Sequence, residues 1–146
     1  MAAAFGGHVG AVQALVDGDA DANAQNSRRK TALHQAPLLF DRIGVAKALV
    51  EAGAFVNLED NKANTPLHIA SQFGAKNIVS YLLTVGADPE AVNSESLTPR
   101  EIICDCLEFA EFPSSLQCPK GKCDSGDDIS SIRRIIDGER TALEQE

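Results

Sequence analysis

The sequence predicts an all-α fold, an α-solenoid of short helix-turn-helix units stacked in a row. Three observations carry this expectation. The phrase "TPLHIASQFGAKNIVSYLLTVGAD" at 65–88 recurs in blurred form from Thr31 and again from Leu97. Independent landmarks agree on one period: Thr31 to Thr65 is 34 residues and Thr65 to Thr98 is 33, Gly53 to Gly86 is 33, and "LVDGDADAN" from Leu15 lines up with "LVEAGAFVN" from Leu49 at 34. Each unit is also too small to bury its own apolar side, so successive copies must lean on one another.

The unit that begins at Thr65 defines the template. Thr65 suits an N-cap, and Pro66 suits the first helical position, where its missing N–H costs nothing. Leu67, Ile69 and Ala70 give a short first helix an apolar side, and Gly74 breaks it. A second helix follows over "NIVSYLLTV", with Ile78, Val79, Leu82 and Leu83 on one stripe. Gly86 ends that helix as a left-handed C-cap residue. The turn-rich "ADPEAVNSES" leads to the next cap.

These phrases, T-P-L-H, a break at Gly, I-V-x-x-L-L and G-A-D, resemble the ankyrin repeat family. The resemblance is clear from residue 2 to about 110 and resumes at 128. It divides the chain into repeat 1 at 1–26, repeat 2 at 27–60, repeat 3 at 61–93 and repeat 4 at 94–138, with a tail at 139–146. Repeat 1 starts inside its first helix, with Gly7-His8 as the break: either Met1 begins a clipped repeat or the chain is cut from a longer array. Repeat 2 carries one surplus residue within "PLLFDR", and Pro37 falls where the first helix is expected. A helix there is expected to be kinked or shortened. Repeat 4 has a loop inserted over about 109–127, rich in Pro, Gly, Ser and Lys, after which "DISSIRRIIDG" restores the stripe with Ile132, Ile135 and Ile136.

Composition narrows the function. The chain has 146 residues, 44% hydrophobic and 23% charged, enough for one domain with a real core. No apolar run approaches the ~20 residues that span a bilayer, and "MAAAFGGHVG" lacks the basic start of a signal peptide. An intracellular protein, cytoplasmic or nuclear, is expected. The net charge of −8 argues against nucleic acid and anionic membrane as partners. No P-loop, G-x-S-x-G or H-E-x-x-H motif occurs, so no catalytic residue and no cofactor is assigned.

Several residues remain to be weighed. His34 and His68 recur at one repeat position without a recurring nucleophile, and the resemblance implies that each fixes the register between units. In repeat 4 the corresponding position is Glu101, and Arg100 replaces the apolar Leu, which suggests a terminal unit with a wetter face. Before each Thr the family favours Gly, yet this chain has Arg29, Ala63 and Ser96. A positive φ there would cost about 1 kcal/mol, the alternative being another turn type; either way these tips are atypical and candidates for mobility. Cys104, Cys106, Cys118 and Cys123 could hold zinc or form a redox pair, but C-x-C on a helix points its thiols about 200° apart, and x4 spacing is loose. Free thiols are the default and no metal is assigned.

The resemblance implies projecting β-hairpin-like loops, and binding of a protein or peptide through the concave side, by hairpin tips and exposed first-helix positions, in a monomer. Carried onto this sequence these are Ser27, Arg28, Lys30, Leu38 and Leu39; Asn61, Lys62, Asn64, Gln72 and Phe73; and Ser94 and Glu95, continued by Leu97, Asp105 and Cys106. "RRK" at 28–30 is a basic spot on an acidic protein, suited to an acidic partner segment or merely a solvated turn. Phe73 is either a hot spot or a ring folded back over its own unit. Two other functional classes stand beside the binding module: a targeting or regulatory fragment of a larger protein or effector enzyme, and a metal- or redox-responsive switch in the repeat 4 cysteine loop.

Overall fold

The computed structural model describes residues 1–37, 43–102 and 131–138. Six helices run in order, α1 (Ala2–Phe5), α2 (Val9–Asp17), α3 (Ala32–Gln35), α4 (Ile43–Glu51), α5 (Pro66–Gln72) and α6 (Lys76–Thr84). Residues 131–138 form a further helix, α7, and no strand occurs among the described residues. The helices make two rows. α1 packs on α3 and α3 on α5; α2 packs on α4 and α4 on α6; within each unit α1 meets α2, α3 meets α4 and α5 meets α6. This is a solenoid in which each unit leans on its neighbours.

The local chemistry of the template unit behaves as its sequence demands. Thr65 is extended (φ −83°, ψ 165°), its hydroxyl accepts from the His68 N–H, and Pro66 opens α5. Gly74 turns the chain with φ +64°. α6 buries Ile78, Val79, Leu82 and Leu83. Its end is a Schellman closure: the Ala87 N–H donates to the Leu82 carbonyl at 2.9 Å and the Gly86 N–H to that of Leu83 at 3.3 Å. α2 and α4 end in the same way, Ala20 donating to Leu15 and Asp19 to Val16, then Ala54 to Leu49 and Gly53 to Val50. The left-handed residue is Gly53 (φ +87°) and Gly86 (φ +91°), but Asp19 (φ +60°) in the first unit.

The expected defect in the second unit is present. α3 spans four residues against seven in α5, and stops at Gln35. Ala36 still has helical angles (φ −56°, ψ −39°) and donates to the Ala32 carbonyl; Pro37 then offers no N–H to continue the ladder. The remainder of the surplus segment, 38–42, lies outside the described residues, and with it Leu38 and Leu39.

Small side chains let the rows approach: Ala46, Ala70 and Ala75 are wholly buried among Leu33, Val45, Leu67, Ile78, Val79 and Leu82. Ile132 and Ile136 of α7 are 0% and 1% exposed and belong to the same core, with Ile135 packed against it. Arg100 reaches α7 as well: its Nε lies 2.8 Å from Asp137 Oδ1 and its Nη2 3.2 Å from Oδ2. Both side chains remain about half exposed, so this cation is paired at the surface and not buried. Residues 103–130, including the expected loop at 109–127 and Cys104, Asp105, Cys106, Cys118 and Cys123, and the tail at 139–146 lie outside the described residues. No described helix is long and apolar enough to cross a membrane.

Among the described residues one buried side-chain polar group has no partner. Ser71 of α5 is 0% exposed and its Oγ makes no hydrogen bond. Such an orphan costs about 1–3 kcal/mol of desolvation. Ser71→Ala is therefore expected to stabilise the protein by about 1 kcal/mol, read as a higher urea midpoint at unchanged slope.

Candidate partner-binding groove

Three turns of one design project from the helix rows, headed by Asn26, Asp60 and Asn93. Asn26 Oδ1 accepts from the backbone N–H groups of Arg28 (2.9 Å) and Lys30 (3.0 Å). Asp60 Oδ1 accepts from Lys62 (2.8 Å) and Asn64 (2.9 Å). Asn93 Oδ1 accepts from Glu95 (2.9 Å) and Leu97 (3.0 Å). Backbone bonds close each turn: Asn26 N–H to Lys30, Asp60 to Asn64 and Asn93 to Leu97. The residue before the end of each turn is left-handed, Arg29 at φ +58°, Ala63 at +56° and Ser96 at +60°. The turn thus keeps the shape that favours glycine despite a side chain there, and an Asx side chain over the loop holds it.

Neighbouring turns are joined. The Asn61 N–H donates to the Arg28 carbonyl at 3.0 Å and the Ser94 N–H to that of Lys62 at 2.9 Å. Asn93 Nδ2 donates to Asn64 Oδ1 at 3.0 Å. A second ladder joins the other ends of the units. Asn23 accepts from the Phe55 N–H (2.8 Å) and donates to the Gly53 carbonyl (3.0 Å); Asn57 does the same with Asp88 (2.9 Å) and Gly86 (3.1 Å).

The histidines complete the frame. His34 Nδ1 accepts from the Thr31 N–H at 3.1 Å and His68 Nδ1 from the Thr65 N–H at 3.2 Å. Because an amide N–H can only donate, the ring proton sits on Nε2. That N–H reaches into the next unit, donating to the Asn64 carbonyl from His34 and to the Leu97 carbonyl from His68, each at 3.0 Å. Burial depresses both imidazole pKa values, more than their carbonyl hydrogen bonds and nearby acidic groups raise them. The rings are neutral braces. In the last unit Glu101 takes the brace position, its Oε2 accepting from the Thr98 N–H (2.8 Å) and hydroxyl (2.9 Å). Those two bonds hold its carboxyl below the ordinary value.

Between the turns and α5, in the inner row formed by α1, α3 and α5, lies a groove of about 440 Å³. Arg28, Lys30, Asn61, Lys62, Asn64, Gln72 and Glu95, all expected at the concave side, line it. Ser27 and Ser94 are exposed at the turns beside it, and Phe73 is the half-buried residue that ends α5; none of these three is among its lining residues. Asp60, Ile69, Asn93 and Ile102 line it too, and sequence reasoning missed them. The signal existed: Asn26, Asp60 and Asn93 recur at 34 and 33 residues, the period of the array.

The family model for ankyrin repeats matches residues 1–93 in three copies. The chain belongs to the ankyrin repeat family, whose members generally serve as protein–protein interaction modules and are typically not catalytic. Comparison with curated proteins gives no match.

Two measurements test the frame. Ala63→Gly should remove the left-handed strain and, after the entropy lost to glycine, add a net ~0.5 kcal/mol of stability in urea melts. The histidines set a pH dependence. The unfolded chain takes up protons at them from about pH 6.5, the folded chain only at lower pH. Stability is therefore complete above about 6.5 and falls as pH drops toward the depressed folded values, by at most about 1.4 kcal/mol per pH unit for each ring. Denaturation midpoints at about pH 7.5, 6.5 and 5.5 should show this slope, and His68→Gln should reduce it by roughly half.

Proposed function

We propose that this protein is a non-catalytic interaction module that grips a protein or peptide in the groove between its turns and inner helices. One observation carries the reading: a single groove draws its lining from three successive units, with polar side chains on rigid, cross-braced turns. A groove of this kind suits an extended chain, whereas chemistry favours an enclosed apolar pocket. His34 and His68 are committed at both ring nitrogens, which removes the two repeat histidines as bases. Residues 94–138 act in this reading as a fourth, terminal unit: the turn at Asn93 and the buried Ile132 and Ile136 support it. The acidic monomer takes neither nucleic acid nor membrane as its partner. An intracellular setting, cytoplasmic or nuclear, is part of the same reading.

Affinity capture with the full chain, read by mass spectrometry and followed by calorimetry with the purified partner, tests this. The double variant Lys30→Glu, Lys62→Glu should weaken the partner at least about tenfold, as loss of a central polar contact does. Arg134→Glu, on the exposed side of α7, should leave it unchanged. Equal binding by all three proteins would place the interface elsewhere.

A further inference from the structure

The charge in the groove is unlike the charge of the protein. The chain carries a net −8, yet three of the side chains along the groove, Arg28, Lys30 and Lys62, are cations. Among the described residues none of the three forms an ion pair; the pair found there joins Arg100 to Asp137. The groove's two carboxylates are placed differently. Asp60 is 2% exposed and turns Oδ1 to two backbone N–H groups. Glu95 is exposed, on the last turn. Cations therefore dominate the accessible surface over the first two turns, and an anion marks the third.

We infer that the ligand of this groove is an extended acidic peptide segment, with two or three Asp or Glu side chains over Arg28, Lys30 and Lys62 and a neutral or basic residue at Glu95. This deepens, and rests on, the reading of the groove as a peptide site. Three observations favour it. Among the described residues the three cations have no carboxylate partner, so a ligand carboxylate need displace none of these. The turns that carry them are fixed by Asx caps and by bonds between turns, so ordering them costs little on binding. Asn61 and Gln72 supply neutral donors and acceptors to a bound backbone beside the charges. A nucleic acid is the less favoured polyanion. Three cations offset three phosphates, while the rest of a long strand would meet the protein's negative field. The single Tyr and absent Trp leave little for bases to stack on.

A random peptide library displayed on phage and selected on the full chain distinguishes the levels of this proposal. Selected peptides should be enriched in Asp and Glu, with Lys or Arg at one end. A representative peptide and its Glu→Gln, Asp→Asn counterpart, labelled for fluorescence anisotropy, should differ at least about tenfold in affinity at about 50 mM salt, and the difference should shrink at about 300 mM as screening grows. Arg28→Gln and Lys62→Gln should each weaken the acidic peptide severalfold, with Arg134→Gln as an inert control and circular dichroism confirming the fold. Glu95→Lys should reverse the preference at that end. Selection of neutral or basic peptides that still respond to Gln72→Arg would overturn the acidic ligand while the groove stands. Peptides indifferent to every groove variant, or no selected peptide, would overturn both. A labelled single-stranded oligonucleotide bound as tightly as the acidic peptide would make the site a general polyanion site and overturn the proposal.

Discussion

A neutral imidazole held between two units fixes the spacing of this array. His34 and His68 each take a threonine N–H of their own unit and give a proton to a backbone carbonyl of the next. Those carbonyls, at Asn64 and Leu97, also receive the N–H that closes their own turn, from Asp60 and Asn93. One oxygen thus joins the shape of a turn to the position of the unit before it. Protonation of either ring would remove the acceptor at Nδ1, so the brace works only where burial keeps the ring uncharged. The groove depends on this arrangement, because its walls are the turns that these carbonyls close.

The turns show how a conformational cost is met by several modest bonds. Arg29, Ala63 and Ser96 occupy left-handed backbone without being glycine, at a cost of about 1–2 kcal/mol each. Against this, each turn has two N–H groups bonded to an Asx oxygen and a backbone bond at its neck. A hydrogen bond contributes about 1 kcal/mol net, so the set outweighs the strain. The sequence suggested atypical, mobile tips because it shows the missing glycine plainly and the compensating side chains only as short polar residues in a loop.

Much of the architecture was legible from periodicity. The stripe at Ile78, Val79, Leu82 and Leu83, the closure at Gly86 and the early stop at Pro37 are one-dimensional signals with one physical meaning each. The distant helix with Ile132 and Ile136 was found in the same way, since burial of one face leaves its mark on spacing even after a long insertion. Roles that depend on contact between units were harder. Asn23 and Asn57 were visible as a landmark of the repeat, but their double bonds to the following unit require three-dimensional proximity. Phe73 stands out in the sequence as a large aromatic at a surface position among polar neighbours, while the groove is lined mostly by polar and charged groups, and whether an aromatic lies in a groove or at its edge is decided by the backbone at the helix end.

The braces have a direction. Each ring belongs to the earlier unit and its acceptor to the later one, and Glu101 ends the series by bonding within its own turn. Losing the trailing unit would break the His68 brace and then the His34 brace, whereas losing the leading unit breaks no imidazole brace but gives up both Asn23 bonds to the following unit. The first joint therefore rests on Asn23 and on the packing of α1 on α3 and α2 on α4, while each later joint adds a neutral ring that acid would release.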